Sequence, residues 1–329
     1  MARKQYSALT KSVTNKIRIG TSGWSYPGGE GAWNGIFYPR AGQRPRGRGK
    51  FDELRFYAEH FDTVEINSTF YRIPSASTAT SWAKRTPPHF EFALKLFQKF
   101  THPDMFHKAT GADPLDLGTK DVDEFRAAID PLASAGKLGA LLAQFPASFK
   151  NEPDNRGYVE WLLEQFREYS VAVELRHKSW SDQPRDTMQL LSQYGAAWTQ
   201  IDEPKFKLSI RQNLLPNVKT FYYLRLHGRN AAQWWSHEKS EDRYNYLYSA
   251  SELEPFADAV KEATRREVKK AYLYANNHFS AKSVANAAIL KHQVGQDLPG
   301  EYPEEMIERY PDLKGIVRIL PVTPSLKLS

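Results

Sequence analysis

Eight short segments of this chain read as strands, several of them with large apolar residues on one face and polar residues on the other, and most are separated from the next by a helix-period segment. They are residues 17–22, 62–67, 90–96, 138–145, 171–176, 196–202, 220–227 and 270–276. Alternating β and α units imply a parallel sheet with right-handed crossovers. Eight units fit a (β/α)8 TIM-like barrel, with a doubly wound open sheet as the competitor. Parity favours the barrel. Helices cover both faces of an open α/β sheet, so both should be apolar, whereas only the outer face of a barrel strand meets helices. The 329 residues suit a single α/β domain of this kind.

Between the strands, Phe51, Leu54, Ala58 and Phe61 mark one helix face, and a second helix over 77–85 stops at Pro87 and Pro88. Further helices are expected at 122–135, 158–169, 187–194 and 280–291, and an insertion at 102–118. The loop that follows the first strand, 23–50, is long, and loops of that length in compact domains are usually functional or disordered. The expected division is a basic tail over 1–16, a barrel over 17–298, and a Pro-rich extension over 299–329 packed on the barrel or trailing from it. The tail lacks the apolar core of a secretory signal. A transit peptide is its second reading, because no acidic residue precedes Glu30.

No apolar run approaches the roughly 18 residues of a membrane span, so no membrane is expected. With no cysteine, disulfides, thiolate metal sites and a cysteine nucleophile are excluded, and a cytoplasmic location is the expectation. The net charge of +7 favours acidic partners, and part of it sits in the run Arg40, Arg44, Arg46, Arg48 and Lys50. That run can contact phosphates of nucleic acid or stand as a solvated loop.

If the polar faces point inward, the strand ends deliver Glu65, Asn67, Lys95, Gln144, Glu174, Arg176, Asp202, Arg225, His227 and Asn276 to one place. Barrel active sites lie at that end. Isolated buried charges cost several kcal/mol each, so such a set persists only if its members pair or meet a ligand. A single pair, such as Glu65 with Lys95 or Glu174 with Arg176, is explained structurally; the whole set points to a site. Glu65, Glu174 and Asp202 are the candidate general acids or bases, with His227 their proton-transfer partner. Lys95, Arg176 and Arg225 can hold a phosphate or carboxylate. Glu65, Glu174, Asp202 and His227 could together bind a divalent metal, although no HxH or HExxH spacing supports it. Trp24, Trp33, Phe37, Tyr38, Tyr71 and Trp180 follow strand ends and can stack on a sugar or base, or pack beneath a loop. No GxGxxG, Walker lysine or GxSxG elbow occurs, so no nucleotide cofactor is expected.

The chain resembles the YecE-like family, domain of unknown function 72. The resemblance rests on Gly20-Thr21-Ser22-Gly23-Trp24-Ser25-Tyr26, Phe37-Tyr38-Pro39, Val64-Glu65-Ile66-Asn67-Ser68-Thr69-Phe70-Tyr71, Lys95 with Thr101-His102, and Gln144-Phe145-Pro146. It continues through Val173-Glu174-Leu175-Arg176-His177, Trp180, Arg225-Leu226-His227-Gly228-Arg229, Tyr274-Ala275-Asn276-Asn277 and Asn286-Ala287. It implies a TIM barrel and adds His102 and Asn277 to the site, without supplying an activity. The Arg/Gly-rich stretch at 40–50 departs from the family pattern.

Three readings follow. The first is an enzyme using acid/base chemistry on a small anionic, hydroxyl-rich substrate, a sugar phosphate or nucleotide fragment. The second is a nucleic-acid-binding or DNA-processing barrel. The third is a scaffold whose polar cluster is structural.

Overall fold

The computed structural model describes residues 16–40, 51–111, 117–234 and 242–320. The basic tail before residue 16, the run Arg44, Arg46, Arg48 and Lys50, and residues 321–329 lie outside them.

Each of the eight alternating segments forms a strand, and one forms two. The strands are β1 (Ile17–Thr21), β2 (Thr63–Ile66), β3 (Glu91–Lys95), β4 (Leu138–Gln144), β5 (Val171–Glu174), β6 (Ala197–Trp198), β7 (Gln200–Asp202), β8 (Tyr222–Leu226) and β9 (Ala271–Ala275). They form two parallel sheets, ordered β1-β9-β8-β7 and β2-β3-β4-β5-β6. The hydrogen-bond ladders therefore trace two sheets, not the single closed barrel expected from the strand count. Side chains explain both interruptions. Between β1 and β2 the Tyr57 hydroxyl takes the place of a ladder partner, accepting from Thr21 N–H at 2.9 Å and donating to Thr63 O at 3.1 Å. Among the described residues the backbone crosses there directly at the bridge Ser22–Glu65 and the Gly23 N–H to Glu65 O bond (2.7 Å). Between β6 and β7, Asn217 Oδ1 accepts from Trp198 N–H (2.7 Å) and Gln212 Oε1 from Ile201 N–H (3.0 Å), so the chain breaks step at Thr199.

Helices such as Ala76–Lys84, Thr119–Ser134, Pro153–Gln165, Pro184–Gln193, Ala250–Arg265 and Lys282–Gln293 follow the strands. Their ends carry the signals their sequences hold: Ser75 accepts from Thr78 N–H, and Ser249 and Glu252 form a capping box. Their apolar faces and the outward strand residues, among them Leu94, Leu141, Val173, Leu224 and Leu273, make one large core. Each fully buried aliphatic side chain there contributes ~1.5–3 kcal/mol. A second apolar cluster lies between the sheets, setting small Ala93, Ala140, Ala172 and Ala197 against large Tyr223, Tyr272 and Tyr274. Gly139 belongs to the same arrangement, since a Cβ there would lie 2.7 Å from the Tyr272 hydroxyl. The tyrosines tie sheet to sheet through hydrogen bonds: Tyr272 to Glu91 (2.6 Å), Tyr274 with Thr63 (2.7 Å) and Tyr223 to Glu65 (2.7 Å).

The expected insertion carries a helix, Pro103–Thr110. Beyond residue 298, Tyr302, Met306, Tyr310 and Leu313 are buried in the main core, and the Tyr310 hydroxyl donates to Ser280 O. Among the described residues no helix is long and apolar enough to cross a membrane.

Candidate functional site

Alternation along β8 sends Tyr223 and Arg225 between the sheets, and His227 follows just past the strand end. Arg225 is 1% exposed and joins two fully buried carboxylates. Its Nη2 donates to Glu65 Oε1 at 2.7 Å and its Nη1 to Glu174 Oε2 at 2.5 Å. Glu65 also accepts from Ser22 Oγ (2.6 Å) and Tyr223 (2.7 Å). The other oxygen of Glu174 accepts from Arg176 Nε at 2.8 Å and lies 3.3 Å from His227 Nε2. Gln144 Oε1 accepts from Arg225 Nη1 at 3.4 Å, closing the ring.

Burial alone would raise the Glu174 carboxyl, but Arg225 and Arg176 outweigh it and hold Glu174 well below the usual carboxylate range. Burial lowers His227 to about 3, so its imidazole is neutral at physiological pH. Asn276 Nδ2 lies 2.9 Å from His227 Nδ1, and on the other side of the ring Nε2 lies 3.2 Å from Arg176 Nη2, 3.5 Å from Arg225 Nη1 and 3.3 Å from Glu174. Asn67 Nδ2 reaches Asn276 Oδ1 at 3.5 Å.

Lys95, at the end of β3, differs from its neighbours. The expected pairing with Glu65 is not formed, because Arg225 from the opposite sheet takes that carboxylate. Among the described residues its ammonium has neither a carboxylate nor a hydrogen-bond partner, and Nζ sits 3.7 Å above the centre of the Phe70 ring. Burial, reinforced by the positive charge of Arg225, lowers Lys95 to about 7. His102 is lowered to about 3 by burial, with Lys95 and Arg176 adding to it.

Glu203, which the strand pattern did not single out, lies 5% exposed with its Oε2 3.6 Å from Arg176 Nη1 and no hydrogen bond to it. Burial raises its carboxyl. Beside it a cavity of about 170 Å³ is lined by Arg176, Ala147, Phe206, Leu208 and Trp234. His278 was also missed. It stacks on Tyr26 (4.4 Å, 11°) and lies tilted against Tyr244 (5.1 Å), and Trp234 continues the aromatic wall to His227 (6.5 Å). Each missed residue lies just past a strand end, where parity no longer assigns a face.

Other candidates fall away from this ring. Asp202 pairs with Arg229 through both oxygens (2.8 and 3.1 Å) and accepts from Tyr248 (2.7 Å). The break at Thr199 sets Asp202 in register with the core residue Leu226, while Arg225 is in register with Ile201. Tyr38, Trp33 and Phe37 are fully buried in packing, and Trp180 stacks on Phe149 with its Nε1–H on Phe149 O. Trp24 packs edge-on against Trp82. Asn277 donates to Tyr246 O and Asn286 Oδ1, a structural role under the loop. Tyr71 is 65% exposed at the rim. Of the four residues considered as metal ligands, Glu65, Glu174 and His227 meet around Arg225, where arginines fill both glutamates, and Asp202 lies elsewhere. Among the described residues no group of three His, Asp or Glu side chains is placed to hold a metal.

A family model described as "Protein of unknown function DUF72" matches residues 18–307. This chain belongs to the DUF72 family. Within it, the UPF0759 protein YunF of Bacillus subtilis is 26% identical over 297 residues, 88% of this chain and 99% of that protein. The UPF0759 protein YecE of Escherichia coli is 30% identical over 126 residues, 38% of this chain and 41% of YecE. A DUF72 family protein from Thermotoga maritima superposes with a TM-score of 0.70 at 32% identity, covering 85% of this chain and 99% of that one. One from Enterococcus faecalis gives 0.72 at 22% identity, covering 88% and 100%.

In this DUF72 chain, then, the glutamates of the ring are saturated by arginines and serve to fix them. The groups left with unused capacity are the Lys95 amine, one oxygen of Glu203 and the outer edge of Arg176. Arg176 and Glu203 line the cavity, and Trp234 joins it to the aromatic wall.

Proposed function

We propose that the two sheets are halves of one (β/α)8 barrel spanning 17–298, with 299–320 packed on it, and that its C-terminal end is the active site of an enzyme. The substrate in this reading is a small, anionic, hydroxyl-rich molecule such as a sugar phosphate or nucleotide fragment, transformed by acid/base chemistry. The single bridge at Ser22–Glu65 and the one-residue break at Thr199 support closure, since each seam is filled by side chains of the same chain.

The observation that carries the functional reading is Lys95. An ammonium without a carboxylate, beside two arginines, leaves local positive charge that an anion would neutralise. Arg176 offers the anion its guanidinium, and the raised Glu203 carboxyl is the proton-transfer group, aided by the neutral imidazole of His102. Glu65, Glu174 and His227 hold Arg225 and Arg176 in place. The aromatic wall of Tyr26, His278 and Tyr244 would flank a sugar ring.

The test is thermal-shift screening of the full chain with sugar phosphates, nucleotides and their unphosphorylated counterparts, followed by NMR detection of turnover for each stabilising compound. Stabilisation by phosphorylated members only, with turnover lost in Glu203→Gln, is the expected result. Absence of stabilisation by any anion ends this reading. The same aromatic wall, with exposed Tyr71 at the rim, gives a second reading as a single-strand nucleic-acid platform. There, binding to oligonucleotides falls steeply with salt; a flat salt response removes it.

A further inference from the structure

We propose that Lys95 is a nucleophile that forms an imine with a carbonyl-bearing anion, so that the substrate class is a phosphorylated aldose or ketose or a keto acid. This rests on the reading of the strand-end cluster as an active site and narrows it.

The argument starts from how lysines are otherwise treated inside this protein. Lys137 is buried and donates to Ala83 O, Thr86 O and Thr86 Oγ1 at 2.6–2.9 Å. Lys99 pairs with Asp121 at 2.7 Å, and Lys291 faces Asp62 at 4.0 Å. Each has oxygen around its ammonium, the usual condition for keeping such a charge inside. Lys95 has an aromatic face below it and arginines nearby. The Phe70 face holds the ammonium form, but burial and the positive charge of Arg225 outweigh it and lower Lys95 to about 7, so the neutral amine with its free lone pair is populated at physiological pH. Lys95 is also only partly buried, so a ligand at the strand ends can reach it.

Chemistry and surroundings then match. The neutral Nζ adds to the carbonyl carbon to give a carbinolamine. Proton donation to its oxygen expels water and leaves a protonated imine; in this reading the donor is the raised Glu203 carboxyl, 3.6 Å from Arg176. No oxidant, reductant or metal is needed. The phosphate or carboxylate of the substrate meets Arg176, and the imine serves as the electron sink for proton removal at the adjacent carbon. A structural lysine would need none of this.

The experiment is reductive trapping. The full chain is incubated with sodium cyanoborohydride and, separately, dihydroxyacetone phosphate, glyceraldehyde 3-phosphate, pyruvate and unphosphorylated dihydroxyacetone, then analysed by intact mass and peptide mapping. The expected result is one adduct per chain on Lys95, forming at least tenfold faster with an anionic probe than with dihydroxyacetone. Lys95→Arg keeps the charge but cannot form the imine; it should retain stabilisation by inorganic phosphate and lose the adduct. Adducts spread over exposed lysines, or one persisting in Lys95→Arg, overturn the proposal. If phosphate stabilises the wild type and no Lys95 adduct forms, the imine falls and the anion site stands. If phosphate also fails to stabilise, both fall.

Discussion

Two layers of charge lie between the sheets, one at each end of the strands, and they are built differently. At the N-terminal end Arg18 pairs with Asp62 at 2.5 Å, Lys270 with Glu91 at 2.8 Å, and Tyr272 adds its hydroxyl to Glu91. The carboxylates of Asp62 and Glu91 keep 19% and 12% of their side-chain surface. At the C-terminal end Glu65 and Glu174 keep none, and one guanidinium serves both while Lys95 stands apart. The lower layer leaves no cation without an acid, since Arg18 and Lys291 face Asp62 while Arg18 and Lys270 face Glu91, as a layer that only holds the fold should. In the upper layer the pairing is uneven, and what remains unpaired is a potential ligand contact.

The comparison breaks most visibly at the arginines. Arg225→Met leaves two fully buried carboxylates without their shared cation, and should lower unfolding free energy by ~3–5 kcal/mol in urea titration. Arg18→Met removes the nearer cation of Asp62, but Lys291 stays 4.0 Å away and the carboxylate keeps 19% of its surface, so about 1 kcal/mol is expected. Equal losses at the two ends would mean that the upper layer is no more desolvated than the lower.

Acid sharpens the contrast next. His227 is lowered to about 3 in the folded chain, against about 6.5 for a free histidine. Between those values the unfolded chain binds the proton and the folded one does not, so stability falls as pH drops below about 6.5. Glu174, held low by its arginines, adds a further loss once pH passes below the ordinary carboxylate value toward its folded one. In His227→Gln the slope between pH 6.5 and 4.5 should flatten, whereas Arg18→Met should retain it. An unchanged slope in His227→Gln would show that the imidazole titrates normally.

Most of the fold was legible because period-two alternation is a local property: all eight segments became strands, and the α/β class with parallel pairing followed. The interruption of the ladders into two sheets was not, since it depends on what Tyr57, Gln212 and Asn217 do at the seams, and no spacing in the sequence announces that. The site shows the same division. Parity placed Glu65, Arg225 and Glu174 on inner faces, but it could not give distances across the interior, so Glu65 was matched with Lys95 when its partner comes from β8. Asp202 was assigned to the ring because its strand looked regular, and the break at Thr199 moved it out of register. Tyr38 and Trp180 follow strand ends as rim aromatics would, yet both are buried, because an aromatic in a loop has no period to reveal its direction.

The smallest effects carry opposite signs, which makes them the sharpest test of the difference between the layers. Lys270→Met removes a cation that is 39% exposed and paired with Glu91, so a loss below about 1 kcal/mol is expected. Lys95→Met removes a charge with no partner, and should raise stability by ~1 kcal/mol at pH 6. The sign follows from linkage: with a folded value near 7 against about 10.4 unfolded, the charged amine destabilises the native state fully below pH 7. The penalty fades as pH rises toward the unfolded value, so the two curves of melting temperature against pH should converge by about pH 10. A Lys95→Met variant that is less stable than wild type at pH 6 would mean that the amine has a partner in solution, and that the upper layer is as fully paired as the lower.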